Sequence, residues 1–295
     1  MKNFIIISLL KLLGLLPLWL SQAIGVFVSK LMRLFNSRAW QTTCRNLEVC
    51  FPDIHNNERL LLAKKSLAHT SMTAIEMFAV YRCSWSQLKP WIVDIKGEEY
   101  LDQALKSERG LIMLGLHHGN WELCSKYMAH KCPNIVFLYK PIKNTVIDRF
   151  IMEGRTRQKS VEMQPVTLKG ISNVIKKVSS GWTTGIIPDQ VPNDEASGRF
   201  VPFFDQPALF MTFVHRLYKK TNAQILIAVA RRTDKGFVIE IQEPDKMIFS
   251  DDQQQSLLAL SRNIEQIIET APEQYQWEYK RFRIRPDTKV DLYDC

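Results

Sequence analysis

Short apolar runs alternate with longer segments of helical periodicity along most of the chain, and this alternation limits the possible folds more than any other feature of the sequence. The clearest run covers residues 110–116, which is typical of a strand buried on both faces. Residues 121–130 follow after a short polar turn and have a helical pattern, with Asn120 as a candidate N-cap. Strands that alternate with helices predict an α/β fold with a mostly parallel central sheet flanked by helices.

The same order of strand and helix recurs before and after this unit. Each predicted strand is short and apolar, and each predicted helix has apolar residues at spacings of three and four. Strands are predicted over residues 135–138, 185–187, 223–230 and 237–242, and helices over 57–82, 100–107, 144–156, 171–178, 209–219 and 253–268.

An apolar N-terminal segment precedes this domain. Residues 12–29 carry no charge and as a helix would extend about 27 Å, close to the thickness of a bilayer core. We therefore predict an N-terminal membrane-anchoring helix over residues 1–35 and an α/β domain over residues 36–295. Pro17 and two glycines interrupt the segment, so a helix that lies within one leaflet competes with one that spans. A cleaved signal peptide is a third interpretation.

The distribution of charge indicates an acidic partner and a side of the membrane. Lys30, Arg33 and Arg38 follow the apolar segment before Glu48, the first acidic residue, which predicts that the next domain lies on the cytoplasmic side. The net charge of +9 favours an acidic partner such as phospholipid or an acidic carrier protein. Nucleic acid is not predicted, because no DNA-binding motif accompanies the basic residues. The basic segment 280–285 is either a contact for such a partner or a solvated tail.

Missing motifs exclude several classes of site. The 12 glycines form neither a dinucleotide-binding nor a P-loop pattern, so no nucleotide cofactor is predicted. The six cysteines are irregularly spaced without a C-x-x-C pair, which predicts free thiols and no metal site. No G-x-S-x-G serine-hydrolase elbow is present.

The turn after the strand at 110–116 carries the residues best suited to chemistry. Loops at the carboxyl ends of strands hold the active sites of open α/β sheets, and this loop reads His117-His118-Gly119-Asn120-Trp121-Glu122. Glu122 at this spacing can face back to His117, set its tautomer and allow it to take a proton from a hydroxyl. His118 points elsewhere as the adjacent residue and is interpreted as a packing or substrate contact. A buried structural histidine is the alternative for His117 alone.

The pattern H-x-x-x-x-E within H-H-G-N-W-E resembles the signature of H-x4-[DE] acyltransferases, and its G-N-W-E ending resembles the late acyltransferases of lipid A biosynthesis, the lauroyl and myristoyl transferases. The resemblance extends from about residue 45 to residue 286. Lys140 stands where the family usually has arginine, and lysine lacks the planar fork that clamps phosphate. The other matching blocks are residues 139–141, 154–157, 188–190, 200–204 and 271–277.

The resemblance implies a bacterial inner-membrane enzyme with its catalytic domain on the cytoplasmic side. It would move a fatty acyl chain from an acyl carrier protein thioester to a hydroxyl of a 3-hydroxyacyl chain on a phosphorylated lipid A precursor, without metal or cofactor. His117 would be the general base, Glu122 would orient it, and Asn120 with the backbone N–H groups of the helix start would hold the oxyanion. The candidate substrate-binding residues are Tyr139, Lys140, Arg155, Arg157 and Asp189.

Several alternatives stay open from the sequence. Arg155 and Arg157 either bind substrate phosphate or cover a helix end, and Asp189 either contacts substrate or forms a turn. The aromatic block 200–204 lines an acyl channel or belongs to the core. The chain could acylate a glycerophospholipid or glycolipid with the same His/Glu pair, or be a membrane-anchored lipid-binding protein without catalysis.

Overall fold

Nine strands form the framework of the described part of the chain. The computed structural model describes residues 2–158, 160–192, 194–286 and 292–293. The strands are β1 (Ile92–Lys96), β2 (Leu111–Leu114), β3 (Ile135–Tyr139), β4 (Val161–Pro165), β5 (Thr183–Ile186), β6 (Gly198–Phe203), β7 (Gln206–Met211), β8 (Gln224–Thr233) and β9 (Gly236–Gln242).

Seven of these strands make one sheet in the order β1-β9-β8-β2-β5-β3-β4. Only the β8–β9 pair is antiparallel, so the prediction of a mostly parallel sheet is confirmed. All four residues of β2 are buried, as the apolar run predicts, and β2 lies between β8 and β5 near the middle of the sheet. The edge strands β1 and β4 were not predicted, because their partly polar sequences lack an apolar run.

Helices cover both faces of the sheet. Alternate residues of β2 point to opposite sides, with Leu111 and Met113 in the core beneath α6 and α7 and Ile112 and Leu114 in the core beneath α9, α10 and α11. The helices are α1 (Lys2–Leu13), α2 (Leu18–Leu34), α3 (Arg38–Cys50), α4 (Asn56–Arg82), α5 (Trp85–Leu88), α6 (Glu98–Lys106), α7 (Trp121–Lys131), α8 (Thr145–Arg155), α9 (Leu168–Ser179), α10 (Phe213–Thr221) and α11 (Gln253–Thr270).

The helix predicted over residues 209–219 is wrong in its first part. Residues 209–211 belong to β7, which pairs with β6 as an antiparallel hairpin outside the main sheet. The two loop residues of the hairpin, Phe204 and Asp205, both have positive φ (47° and 58°), the conformation of a type I′ turn. Phe203 is fully buried and does not line the large cavity described below, so this aromatic block belongs mainly to the core.

The prediction of one continuous N-terminal membrane helix over residues 1–35 is not supported. The segment forms α1 and α2, whose axes differ by 113° at a break that includes Pro17, a residue without a backbone N–H. Within the described ranges, no single helix is both long and apolar enough to cross a membrane. The two helices reach that length and composition only together, as a bent pair.

The polarity of α2 is inverted relative to a helix of a soluble domain. Its buried face carries Ser21, Gly25 and Ser29 and packs closely on α4, where a Cβ on Gly25 would lie 2.4 Å from the Cα of Met72. Its outer face carries large apolar side chains at helical spacing. These are Trp19 (69% exposed), Phe27 (61%), Leu31 (37%) and Leu34 (74%).

The cysteine prediction is confirmed for the described part of the chain. Cys44, Cys50, Cys83, Cys124 and Cys132 are free thiols, and Cys295 lies outside the described residues. Burial raises the pKa of the Cys50 and Cys124 thiols well above the ordinary value, so both are poor nucleophiles at neutral pH.

Gly25→Leu is expected to destabilise the protein by about 1–3 kcal/mol, because the added side chain overpacks the contact between α2 and α4. Ala23→Leu places the same leucine side chain on the exposed face of α2 and serves as the control. The free energy of unfolding, measured in detergent solution for both variants, tests this packing. Equal effects of the two substitutions would contradict it.

Candidate active site

The loop that joins β2 to α7 is held from both sides at the carboxyl edge of the sheet. The backbone N–H of Gly119 donates to the carbonyl of Gln274 (2.9 Å), and that of Asn120 donates to the carbonyl of Ala230 (2.9 Å). Gly119 has a φ of +60°, and a Cβ there would lie 2.0 Å from the Ala230 oxygen. Only glycine fits at this position, so the backbone on either side of the loop fixes its path.

His117 is paired with a buried carboxylate. Its Nδ1 lies 2.8 Å from Oδ1 of Asp189, and its backbone N–H donates to Oδ2 of the same residue at 2.8 Å. Burial alone raises the pKa of Asp189, but attraction to His117 and the hydrogen bonds from it outweigh burial, so the net pKa is lowered. Asp189 is therefore an ionised acceptor.

This pairing determines the tautomer of the imidazole. An ionised carboxylate can only accept hydrogen bonds, so Nδ1 of His117 carries the proton and Nε2 of the neutral ring is an acceptor. The Nε2 atom lies 3.2 Å from the side-chain nitrogen of Gln190, which can donate to it. His117 thus presents Nε2 as a hydrogen-bond acceptor. Its side chain is 16% exposed and lies beside the ring of Trp121.

The predicted role of Glu122 as the group that orients His117 is not supported, because Asp189 occupies that position. Glu122 instead forms a two-point ion pair with Arg155 of α8, in which Nη2 contacts Oε1 and Nε lies 3.2 Å from Oε2. Lys126, one turn further along α7, donates to the carbonyl of Gly154 at 2.9 Å. These contacts hold the C-terminal end of α8 against α7.

The prediction of Asn120 as N-cap is confirmed, but its side chain does not face the site. Its Oδ1 accepts from the backbone N–H of Leu123 (2.9 Å), and its Nδ2 donates to Oε2 of Glu76 (2.9 Å). Asn120 is fully buried and is not among the residues that line the cavity. Its amide is therefore not placed to hold an oxyanion. The backbone N–H groups of residues 121 and 122 remain candidates, because they lie in the first turn of α7.

Glu76 of α4 is the centre of a buried polar cluster that the sequence did not reveal. Its two oxygens accept from Arg232 of β8 at 2.6 and 3.2 Å, from Asn120, and from Gln22 of α2 at 3.1 Å. One turn earlier, Thr73 donates to the carbonyl of Gly119 at 2.9 Å. The cluster therefore joins α2, α4 and the sheet to the loop between β2 and α7.

A cavity of about 450 Å³ begins at His117 and continues between α7 and the sheet. Met113, Ala129, Ile135 and Ala228 form part of its wall, and all four are buried. The other lining residues include Val80, Tyr81, Met128, Phe137, Leu138, Lys140, Met163, Val166, Gly185, Ile187, Gln190 and Met211. The cavity is mostly apolar and has a few polar groups at the imidazole end, as expected of a site for a long-chain ligand.

The other predicted substrate-binding residues differ in their surroundings. Lys140 is exposed and lines the cavity. The Tyr139 hydroxyl is bonded to Asp148, the guanidinium of Arg155 is bonded to Glu122, and Asp189 is 1% exposed beside His117. Arg157 is exposed and does not line the cavity. Asp189 is therefore a partner of the imidazole rather than a contact for substrate.

His118 is a packing residue. It is fully buried, with Nε2 at 3.0 Å from the carbonyl oxygen of Ala271, and burial lowers its pKa to about 4. A neutral, enclosed imidazole cannot reach a substrate. Among the described residues, no group of three or more His, Cys, Asp or Glu side chains is placed to hold a metal ion.

The fold and the site together define a class of enzyme. An oriented imidazole at the head of an apolar cavity, on the carboxyl edge of an α/β sheet, can activate a hydroxyl next to a long acyl chain. The sequence matches the model of the bacterial lipid A biosynthesis acyltransferase family over residues 1–284. The chain belongs to this family and is an acyltransferase.

Characterised relatives are similar along nearly the whole chain. The lipid A biosynthesis palmitoleoyltransferase of Escherichia coli K12 is 27% identical over 290 residues, which cover 95% of this chain and 92% of the relative. The lipid A biosynthesis lauroyltransferase of the same strain is 28% identical over 290 residues, covering 97% and 93%. A lipid A biosynthesis acyltransferase of Haemophilus influenzae is 29% identical over 257 residues, covering 85% and 79%.

Asp189→Asn is expected to lower kcat for acyl transfer by about 10²–10⁴-fold, because an amide in place of the carboxylate no longer fixes the tautomer or stabilises the imidazolium. Asp194→Asn, a substitution of an exposed aspartate in the following loop, is the matched control. Steady-state kinetics of both variants test the pairing. An Asp189→Asn enzyme with the wild-type kcat would show that the pairing is not used.

Glu76→Ala is expected to reduce the free energy of unfolding by about 3–5 kcal/mol, because it leaves the Arg232 guanidinium buried without its counter-charge. The double variant Glu76→Leu/Arg232→Leu removes both charges and should recover most of that loss. Denaturant unfolding of the single and double variants measures the difference. If the losses simply add, the two side chains do not act as a pair.

Proposed function

We propose that this acyltransferase moves a fatty acyl chain from an acyl carrier protein thioester to the hydroxyl of a 3-hydroxyacyl chain on a phosphorylated lipid A precursor. The single observation that carries the proposal is the His117–Asp189 pair at the head of the apolar cavity. Membership of the lipid A family and the names of the relatives support lipid A precursor as the acceptor.

The chemistry follows from the tautomer of His117. Nε2 accepts the proton of the acceptor hydroxyl while its oxygen attacks the thioester carbonyl, and Asp189 stabilises the imidazolium that forms. The tetrahedral oxyanion is held by the backbone N–H groups of residues 121 and 122 at the positive end of α7. When the C–S bond breaks, the thiolate leaves and takes the proton back from Nε2. The ester and the carrier thiol are the products, and the base is restored.

The cavity wall suggests how the two substrates are divided. The acyl chain occupies the apolar space between α7 and the sheet, past Met113 and Ala129. The phosphorylated acceptor approaches from the open end, where Lys140 is exposed and lines the cavity; Arg157 is exposed but outside the lining. Arg155 keeps part of α8 in place through Glu122, whose carboxylate balances its charge. Tyr139 braces this wall through Asp148.

The outer face of α1 and α2 supports work at a lipid surface. Besides the exposed apolar side chains of α2, Leu9, Leu12 and Leu15 of the same N-terminal segment are 54%, 60% and 58% exposed. Such a face is suited to the acyl region of a bilayer, and the basic residues that follow it suit anionic headgroups. We place the enzyme at the bacterial inner membrane, with its catalytic domain on the cytoplasmic side.

His117→Ala is expected to lower the rate of acyl transfer by at least about a hundredfold, because the acceptor hydroxyl loses its general base. The assay incubates a phosphorylated lipid A precursor with a series of acyl carrier protein thioesters and identifies the products by mass spectrometry. His130→Ala, at an exposed histidine near the end of α7, is the control. Unchanged transfer by His117→Ala would overturn the mechanism.

The acceptor is tested in the same assay with lysophosphatidate in place of the lipid A precursor. Preferential acylation of the precursor supports the proposal. Preferential acylation of lysophosphatidate would instead indicate a glycerophospholipid acyltransferase with the same base.

A further inference from the structure

Two loops at the open end of the cavity repeat the same residue pattern. Strands β3 and β4 are parallel neighbours in which Tyr139 pairs with Pro165, and the next residues, Lys140 and Val166, both line the cavity. Three positions beyond the paired residues, each loop has an exposed apolar side chain, and four positions beyond, a lysine. We call this set the rim surface, and it consists of Lys140, Ile142 (40% exposed), Lys143, Val166 (49%), Leu168 (89%) and Lys169.

Acidic residues are few around the rim surface, although Glu162 pairs with Lys177 and Asp148 contacts the backbone of Ile142. No acidic residue occurs from Met163 to Pro188, a stretch that contains three lysines. No acidic residue occurs from Tyr139 to Ile147 either. The carboxylate of the next residue, Asp148, accepts hydrogen bonds from the Tyr139 hydroxyl and from the backbone N–H of Ile142. The exposed lysines of the rim surface outnumber the nearby acidic residues and create a positive potential, and its exposed leucine and isoleucine side chains add apolar area.

The two halves of the rim surface adjoin different helices: Lys140, Ile142 and Lys143 precede α8, which contacts α1, and Leu168 and Lys169 belong to α9. Leu168 and Lys169 begin α9, which packs on the core that contains Val174 and Val178. The N-terminal helices pack on α4 and α8, and α7 fills the core on the other side of the sheet. α9 therefore packs on a different core from α1 and α2, so a soluble partner can approach the cavity opening from the α9 side.

We propose that the rim surface is the docking site for the acidic acyl carrier protein that delivers the thioester. This inference rests on the proposed function and adds the surface through which the donor is recognised. Acidic side chains of the carrier pair with Lys143 and Lys169, and an apolar side chain covers Leu168. The acyl chain and its linker then enter the cavity between Lys140 and Val166.

The basic segment 280–285, the other candidate for this partner, is largely engaged within the protein. Arg281 is 2% exposed, donates to the carbonyl of Leu209 and lies 4.2 Å from the centre of the Phe210 ring. Arg283 donates to the carbonyl of Val191. The expectation of a solvated tail or a partner contact is therefore wrong for Arg281, and the rim surface carries the better charge complementarity.

The test is direct binding of a fluorescently labelled acyl carrier protein that bears a non-hydrolysable amide-linked acyl chain, measured by anisotropy in detergent solution. Lys143→Glu/Lys169→Glu is expected to raise the Kd by about tenfold or more, because two attractive charges become repulsive. Leu168→Ser, which changes no charge, should raise the Kd several-fold. The wild-type Kd should also weaken with added salt, and the charge-reversal variant should respond less.

Lys106→Glu/Lys220→Glu is the matched control. Both lysines are exposed and lie at the C-terminal ends of α6 and α10, the helices before β2 and β8, at the edge of the sheet opposite the cavity opening. A Kd within about twofold of wild type is expected for this pair, since charge effects fade beyond a Debye length of about 10 Å. Equal Kd values for the two double variants would overturn the docking site.

Two further outcomes separate the possible failures. If wild-type protein does not bind the carrier at all, the donor in the proposed function is wrong, and the docking site falls with it. Sedimentation with phosphatidylethanolamine and phosphatidylglycerol vesicles tests the bilayer as the occupant. Loss of vesicle binding in Lys143→Glu/Lys169→Glu, with an unchanged carrier Kd, would show that the rim surface faces lipid instead.

Discussion

The loop that carries His117 is supported by one buried ion pair, between Glu76 and Arg232. Taking two charges out of water is costly unless their hydrogen bonds are satisfied, and here both oxygens of Glu76 are fully engaged. One of these bonds comes from Asn120, whose other amide atom caps α7. The position of the helix that forms the roof of the cavity is thereby coupled to α4 and, through Gln22, to α2. The Glu76–Arg232 pair therefore supports both α2 and the loop that carries His117.

The candidate site could be located from the sequence, but its internal partners could not. The buried strand, the turn and the helix cap at Asn120 are local features, and each was predicted correctly. The partner of His117 was assigned to Glu122 because sequence spacing shows only nearby carboxylates. Asp189 is 72 residues away and arrives through the pairing of β2 with β5, where Leu114 is opposite Ile186 and both His117 and Asp189 follow three positions later. The proximity of Asp189 to His117 follows from the order of the strands in the sheet, which the periodicity of a single sequence does not reveal.

The fold shows the same division between local and long-range information. Strands with continuous apolar runs, such as β2 and β8, were recognised, whereas the half-polar edge strands were not. Residues 209–211 were assigned to a helix because Leu209 and Phe210 continue the apolar pattern of α10, and their strand state depends on pairing with β6. The turn of that hairpin uses Phe204 at positive φ, a conformation that glycine or asparagine usually signals. The N-terminal segment appeared as one membrane helix because hydropathy does not register the packing of Gly25 on α4.

The residues that orient His117 and the residues that attach α8 belong to different elements, which has a consequence for redesign. The side chains that hydrogen-bond to the His117 imidazole, Asp189 and Gln190, come from the loop after β5, whereas α8 is attached through Glu122, Lys126 and its own contacts with α4. The outer wall is thus a replaceable module. Its side chains can be exchanged to fit a bulkier or differently charged alcohol while the proton-accepting nitrogen keeps its orientation. An enzyme built in this way can acquire a different alcohol substrate without any change to the residues that orient its imidazole.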